Sequence, residues 1–108
     1  MNFVRAKAIS ETLKVNTSLR ELHISFNNIG TEGAKAISEA LIVNISLQKL
    51  YIGENNMCNE GKQYIRDALE VNLGIEQIYG ISNVDHLITS EYLAFKRNMS
   101  RKKSARKW

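Results

Sequence analysis

Apolar residues recur along this chain in two alternating rhythms. In Gly33–Val43, Ile37, Ala40 and Leu41 stand at i, i+3 and i+4, while Lys35, Ser38 and Glu39 fall on the other side. That is the stripe of an amphipathic helix. Leu47-Gln-Lys-Leu50-Tyr-Ile52 then switches to alternation, with Leu50 and Ile52 on one face of a short strand and Lys49 and Tyr51 on the other. Asn44, just past Val43, suits the left-handed position that ends a helix. Asn55 and Asn56 close the strand in a turn, and Gly61 starts the next helix. One unit is helix, turn, strand, turn.

The unit is repeated. Shifting Ala6–Asn28 by 28 residues onto Ala34–Asn56 gives identity at 15 of 23 positions, among them Leu19/Leu47, Leu22/Leu50, Ile24/Ile52 and Asn27/Asn55. A second shift keeps Ile65, Ala68, Leu69, Val71, Asn72, Tyr79 and Asn83, with Ile75 and Ile78 in the Leu47 and Leu50 columns. A tandem array therefore runs to about residue 83, with helices predicted near 3–15, 32–43 and 60–71 and parallel strands near 20–24, 48–52 and 76–80. The third unit departs from the pattern. Gly80 stands where Ile24 and Ile52 point inward, and Asp85 stands in the Ile29/Met57 column. After it, Thr89-Ser-Glu-Tyr-Leu reads as a helix start, and Ile88, Tyr92, Phe95 and Met99 follow at i, i+4, i+7 and i+11. The expected division is a repeat array over 1–88, then a closing helix and basic tail over 89–108.

Leu19-x-x-Leu22-x-Ile24-x-x-Asn27-x-Ile29, returning as Leu47, Leu50, Ile52, Asn55 and Met57, resembles the leucine-rich repeat signature. The period of 28, the full helix and Gly33/Gly61 look like the ribonuclease-inhibitor-like subclass. That group includes the repeat regions of NOD-like receptors, Ran GTPase-activating proteins and tropomodulins. The resemblance implies an α/β fold, a leucine-rich repeat solenoid that forms a right-handed horseshoe segment of about three repeats with a C-terminal capping helix. It also implies that Asn27, Asn55 and Asn83 form a ladder satisfying turn backbone, and that the strands line a concave face used to bind other proteins. Stacked units share a core that no single unit can bury alone.

Charge changes the picture at one end only. The 108 residues carry a formal net charge of +4, but residues 1–95 hold 8 basic and 11 acidic side chains, or −3, and residues 96–108 hold 7 basic and none acidic, or +7. The basic character belongs to a tail. Lys96, Arg97, Arg101, Lys102, Lys103, Arg106 and Lys107 form that run, which ends in Trp108. Solvated terminal charge is the plain reading. The functional readings are a nuclear address or contacts with nucleic acid or an anionic membrane. Ser100 and Ser104 stand three residues after Arg97 and Arg101, a spacing that permits phosphorylation. The single Cys58 forms no internal disulfide, and no signal-like segment or membrane-length apolar run is present. A cytoplasmic location is expected, or a nuclear one if the tail acts as an address.

The outward strand positions are Glu21/Lys49/Gln77, His23/Tyr51/Tyr79 and Ser25/Gly53/Ile81. The column of three rings offers rigid area with polar tips, the chemistry of interface hot spots, and equally the cross-strand packing that stabilises a sheet. His23, Tyr51, Tyr79, Glu21, Lys49 and Gln77 are the expected partner-binding residues. Three strands spaced ~4.8 Å apart and ~17 Å long present roughly 200–250 Å². A stable interface needs about 800 Å² per partner, so tail, helix edges or further copies must contribute. The chain begins inside a unit with no polar cap, which suggests a truncated product, a fragment, or self-association through that end. The three Asn-x-Ser/Thr sequons at Asn16, Asn44 and Asn98 are discounted, since two recur with the repeat. His23, His86 and Cys58 have no catalytic partners at motif spacing, and no P-loop, HExxH, GxSxG or CxxC occurs. The expectation is a non-enzymatic binding module with no cofactor and no metal.

Overall fold

The computed structural model of the chain describes residues 3–105, and the side chains of residues 3–101. The elements follow in the order α1 (Phe3–Val15), β1 (Glu21–His23), α2 (Gly30–Val43), β2 (Lys49–Tyr51), α3 (Asn59–Val71), β3 (Gln77–Tyr79), a 3-10 turn (Asp85–Leu87) and α4 (Ser90–Ala105). The three strands form one parallel sheet in the order β1-β2-β3. Leu22 pairs with Leu50 and Leu50 with Ile78, so neighbouring strands are offset by the 28 residues of the sequence period.

Helices cover one face of the sheet. Leu47, Leu50, Ile52, Ile37, Leu41, Ile65, Leu69 and Ile75 are almost fully buried between them. Close helix packing depends on small residues at matching positions. A Cβ at Gly61 would lie 3.3 Å from the Ala34 Cβ, and one at Gly33 would lie 3.2 Å from the Ala6 Cβ. Ala6/Ala34 against Gly33/Gly61 therefore lets α1 meet α2 and α2 meet α3 by the same contact, one period apart.

Two ladders of asparagine join the units. Asn55 donates from Nδ2 to the carbonyls of Ile24 (2.8 Å) and Ile52 (2.8 Å), and its Oδ1 accepts from the Asn27 N–H (2.7 Å). This is the turn role implied for the Asn27/Asn55/Asn83 column. Asn83 departs from it, with φ at 60° and an exposed side chain. The second ladder corrects the reading of Asn44. Its backbone is extended (φ −78°, ψ 127°) rather than left-handed. Its buried amide donates to Leu13 O (2.8 Å) and Asn16 O (3.1 Å) and accepts from the N–H groups of Ser46 (3.0 Å) and Leu47 (2.8 Å). Asn72 repeats the arrangement on Leu41, Asn44, Gly74 and Ile75. Left-handed residues are found instead in the turns after the strands, at Phe26, Asn28, Glu54 and Asn56.

The third unit closes differently. Gly80 has φ +108°, and a Cβ there would lie 2.3 Å from the Gly53 backbone. This kink breaks the alternation by one position, and a one-residue slip exchanges the two faces of a strand. Ile81, expected to point outward, is consequently 7% exposed and part of the core. α4 begins where the Thr89 hydroxyl accepts from the Tyr92 N–H (3.1 Å), and it lies against the end of α3. The Tyr92 hydroxyl donates to Glu70 O (3.4 Å), and Leu93 is buried.

Candidate functional site

Parallel pairing without register slip places residues 28 apart directly beside each other. The consequence on the open face of the sheet is a continuous ring stack. His23 and Tyr51 have centroids 3.9 Å apart at 13° between planes, and Tyr51 and Tyr79 are 4.4 Å apart at 14°. The strands supply the spacing, since ~4.8 Å between neighbours is close to a stacking distance. The polar tips are held by the adjoining column. His23 Nε2–H donates to Glu21 Oε1 (2.8 Å), and the Tyr79 hydroxyl donates to Gln77 Oε1 (3.2 Å). Burial, then the neighbouring Tyr79 and Glu21, pushes the Tyr51 hydroxyl above its usual 10.0, so the stack stays uncharged at its centre.

Five of the six expected face residues are thus brought into one contact set. Lys49 sits in register between Glu21 and Gln77 and is exposed. The rings are half-open to solvent, with the side chain of His23 62% exposed and Tyr79 46%. The strands are three residues each, so the sheet face is narrower than the sequence suggested.

The basic run does not behave as one tail. Lys96 is a correction: it is 8% exposed, and its ammonium donates to Leu69 O (2.9 Å) and Leu87 O (3.1 Å) under the Tyr92 ring. Burial first, and Arg97 second, lowers the Lys96 pKa from its ordinary 10.5. Arg97 donates from Nε to Leu73 O (2.8 Å). Both residues fasten α4 to α3. Arg101 is exposed on α4, and Lys102 and Lys103 continue that helix in backbone. The side chains of Lys102 and Lys103, and Arg106, Lys107 and Trp108 entirely, lie outside the described residues.

Other candidates are scattered. His86 lies in the exposed 3-10 turn, away from the sheet stack. Cys58 is exposed before α3, with its sulfur 3.0 Å from Thr31 Oγ1. Among the described residues, no three His, Cys, Asp or Glu side chains gather as metal ligands. The structure also reveals residues that pattern reading passed over. Phe26 is 80% exposed in a left-handed turn, although its column holds Glu54 and Ser82, which share nothing with it. Phe95 and Met99, read in sequence as part of the apolar stripe of the closing helix, are instead exposed, and with Ile42 and Val71 they line an open groove of 390 Å³ beside α4. The signal for that groove was present in Phe95 and Met99, four residues apart on one helix face.

Comparison with known proteins accords with this geometry. The family described as Leucine Rich repeat matches residues 15–38, which hold the end of α1, β1 and the start of α2. Among solved structures, the Leiomodin-1 Actin-Binding Site 2 superposes with a TM-score of 0.71 at 22% identity, covering 96% of this chain and 62% of the other. The tropomodulin C-terminal domain of Caenorhabditis elegans superposes with a TM-score of 0.65 at 20% identity, covering 97% and 66%. The chain folds as leucine-rich repeats. It spans less than two thirds of the length of either neighbour. No curated protein matches the sequence. At these identities the likeness shows the fold alone, helices backing a small parallel sheet.

Proposed function

We propose that the chain is a short solenoid of about three 28-residue repeats, closed at one end by α4, that works as a non-enzymatic protein-binding module. The observation that carries this is the ring stack. His23, Tyr51 and Tyr79 stand in register on the open side of the sheet, with tips oriented by Glu21 and Gln77, and we take this side as the concave binding face. Aromatic side chains already fixed in place lose little freedom on binding, which is why such residues dominate interface energies. The face is too small to hold a partner tightly alone, so the turn residue Phe26, beside the same strands, is part of the proposed contact.

The matching region of leiomodin-1 is described as an actin-binding site, which makes actin the first partner to test. The experiment is equilibrium binding of purified actin to the chain and to the triple variant His23→Ala, Tyr51→Ala, Tyr79→Ala. Affinity should fall at least ~10-fold while circular dichroism stays unchanged, as expected for loss of hot-spot residues. Equal binding by the folded triple variant would remove the ring stack from the contact. If actin does not bind at all, the same pair of proteins compared in lysate capture reads the face against other partners.

A further inference from the structure

We infer that the open edge of β1 is a pairing edge and that its occupant is the β1 of a second copy of this chain, laid antiparallel across a two-fold axis. β1 is the end strand of the sheet. Beside it, the Arg20 carbonyl accepts from the Lys49 N–H (3.0 Å) and the Ile24 N–H donates to the Tyr51 carbonyl (2.8 Å), so alternate residues face β2. Glu21 and His23 stand between them and turn their own N–H and C=O groups to the other side. An edge strand is a template for a further strand unless a bulge, a proline or a cover blunts it. β3 is blunted, because Gly80 turns the chain directly after it with φ +108°. β1 instead runs on through Ile24 and Phe26, each paired with the chain that follows β2 or ends it.

The apolar residues on the same side of the first unit lack the cover their counterparts have. Leu19 is 36% exposed where Leu47, one period on, is fully buried. Leu22 and Ile9 are partly buried where Leu50 and Ile37 are fully so. In the middle unit the preceding unit supplies that cover. A second copy cannot supply it head to tail. Arg5 stands in the column of Gly33 and Gly61, and Lys62 in the column of Ala6 and Ala34. Head-to-tail stacking would set Arg5 of one copy against Lys62 of the other, two bulky cations where the array elsewhere joins Gly to Ala.

Turned end for end, β1 is its own complement. An axis through Leu22 sets Glu21 opposite His23 of the second copy and His23 opposite Glu21, the relation a two-fold interface requires. These are the residues whose backbone groups face the edge, so the two pairs exchange about four backbone hydrogen bonds. Each Glu21 carboxylate, which already accepts from its own His23 (2.8 Å), then meets a second imidazole within reach of its remaining lone pairs. Moving the axis to Glu21 sets acid against acid, which is destabilising, and moving it to His23 loses both acid–imidazole pairs. On the helix side Leu22 meets Leu22. The symmetry carries the two Arg5 side chains, near the starts of their helices, toward opposite ends of the α1 pair. Six strands then form one sheet with twice the open face, whatever that face binds.

The test is sedimentation equilibrium of the full chain across the micromolar range, with circular dichroism on every variant. The expected result is a monomer–dimer equilibrium. Glu21→Pro deletes an edge-facing N–H and spares the bonds to β2, and it should weaken the dimer at least ~10-fold. Leu19→Glu, outside the strand, should weaken it too and carries the test if the proline unfolds β1. His23→Glu sets like charges opposite one another and should weaken association, while Glu21→Lys combined with His23→Glu should restore it. A chain that stays monomeric at every concentration overturns the inference. So does assembly beyond the dimer, which is head-to-tail growth. A folded Glu21→Pro or Leu19→Glu variant that dimerises like the parent, or a double variant that fails to restore association, overturns it as well.

Discussion

Asn44 and Asn72 are buried amides whose donors and acceptors are all engaged, each with the chain one unit upstream and with its own following turn. Each therefore stitches two units together at a point where apolar packing alone cannot satisfy backbone groups. Asn72→Ala would leave four buried partners without their bond, and each such group costs about 1–3 kcal/mol when unmet. Allowing for water entering the site, a loss of roughly 2–4 kcal/mol is expected from the urea midpoint. Cys58 offers a residue-scale test by pH. The Thr31 hydroxyl first, then the N–H groups of Gly61 and Glu60, favour its thiolate and lower its pKa from 9.0. Alkylation by iodoacetamide should thus reach half its limiting rate below pH 9.0, and Thr31→Val should move that midpoint upward. The sign for stability follows: this contribution is present above 9.0 and is lost as pH falls through the lowered value.

Among the elements, Gly80 is the position where sequence and backbone are most tightly coupled. Its positive φ and its approach to Gly53 admit no side chain. Gly80→Ala should destabilise the chain by about 2–4 kcal/mol, since strain at such φ and a clash with backbone act together. Thermal unfolding followed at 222 nm checks this, with Gly30→Ala, which meets no atom within 4 Å, as the comparison for the φ effect alone. The same residue explains a misreading. Strict alternation put Ile81 outward, and only a kink that the sequence marks with a lone glycine turns it into the core. Helix and strand positions were legible because their rhythms are local: α1, α2 and α3 lie within two residues of the expected bounds. The role of Asn44 was not, because its partners Leu13 and Asn16 lie about one period away. Lys96 was taken for tail charge because nothing near it in sequence announces the Leu69 carbonyl, 27 residues upstream, that accepts its hydrogen bond.

At the scale of the molecule, the face residues were legible for a reason that also limits the claim. A repeat fixes which side chains become neighbours, so the stack of His23, Tyr51 and Tyr79 could be read before any coordinates. It does not fix what lies opposite them. The middle unit differs from its flanks in one respect that reaches beyond recognition. Its ends make the same bonds in both directions, Asn44 reaching upstream to Asn16 and Asn72 reaching upstream to Asn44. The third unit is turned aside at Gly80. Tandem duplication of the central unit is therefore structurally open: a copy of those 28 residues spliced beside itself would meet the same asparagine bonds and Ala–Gly contacts on both sides, and would lengthen the row of rings by one.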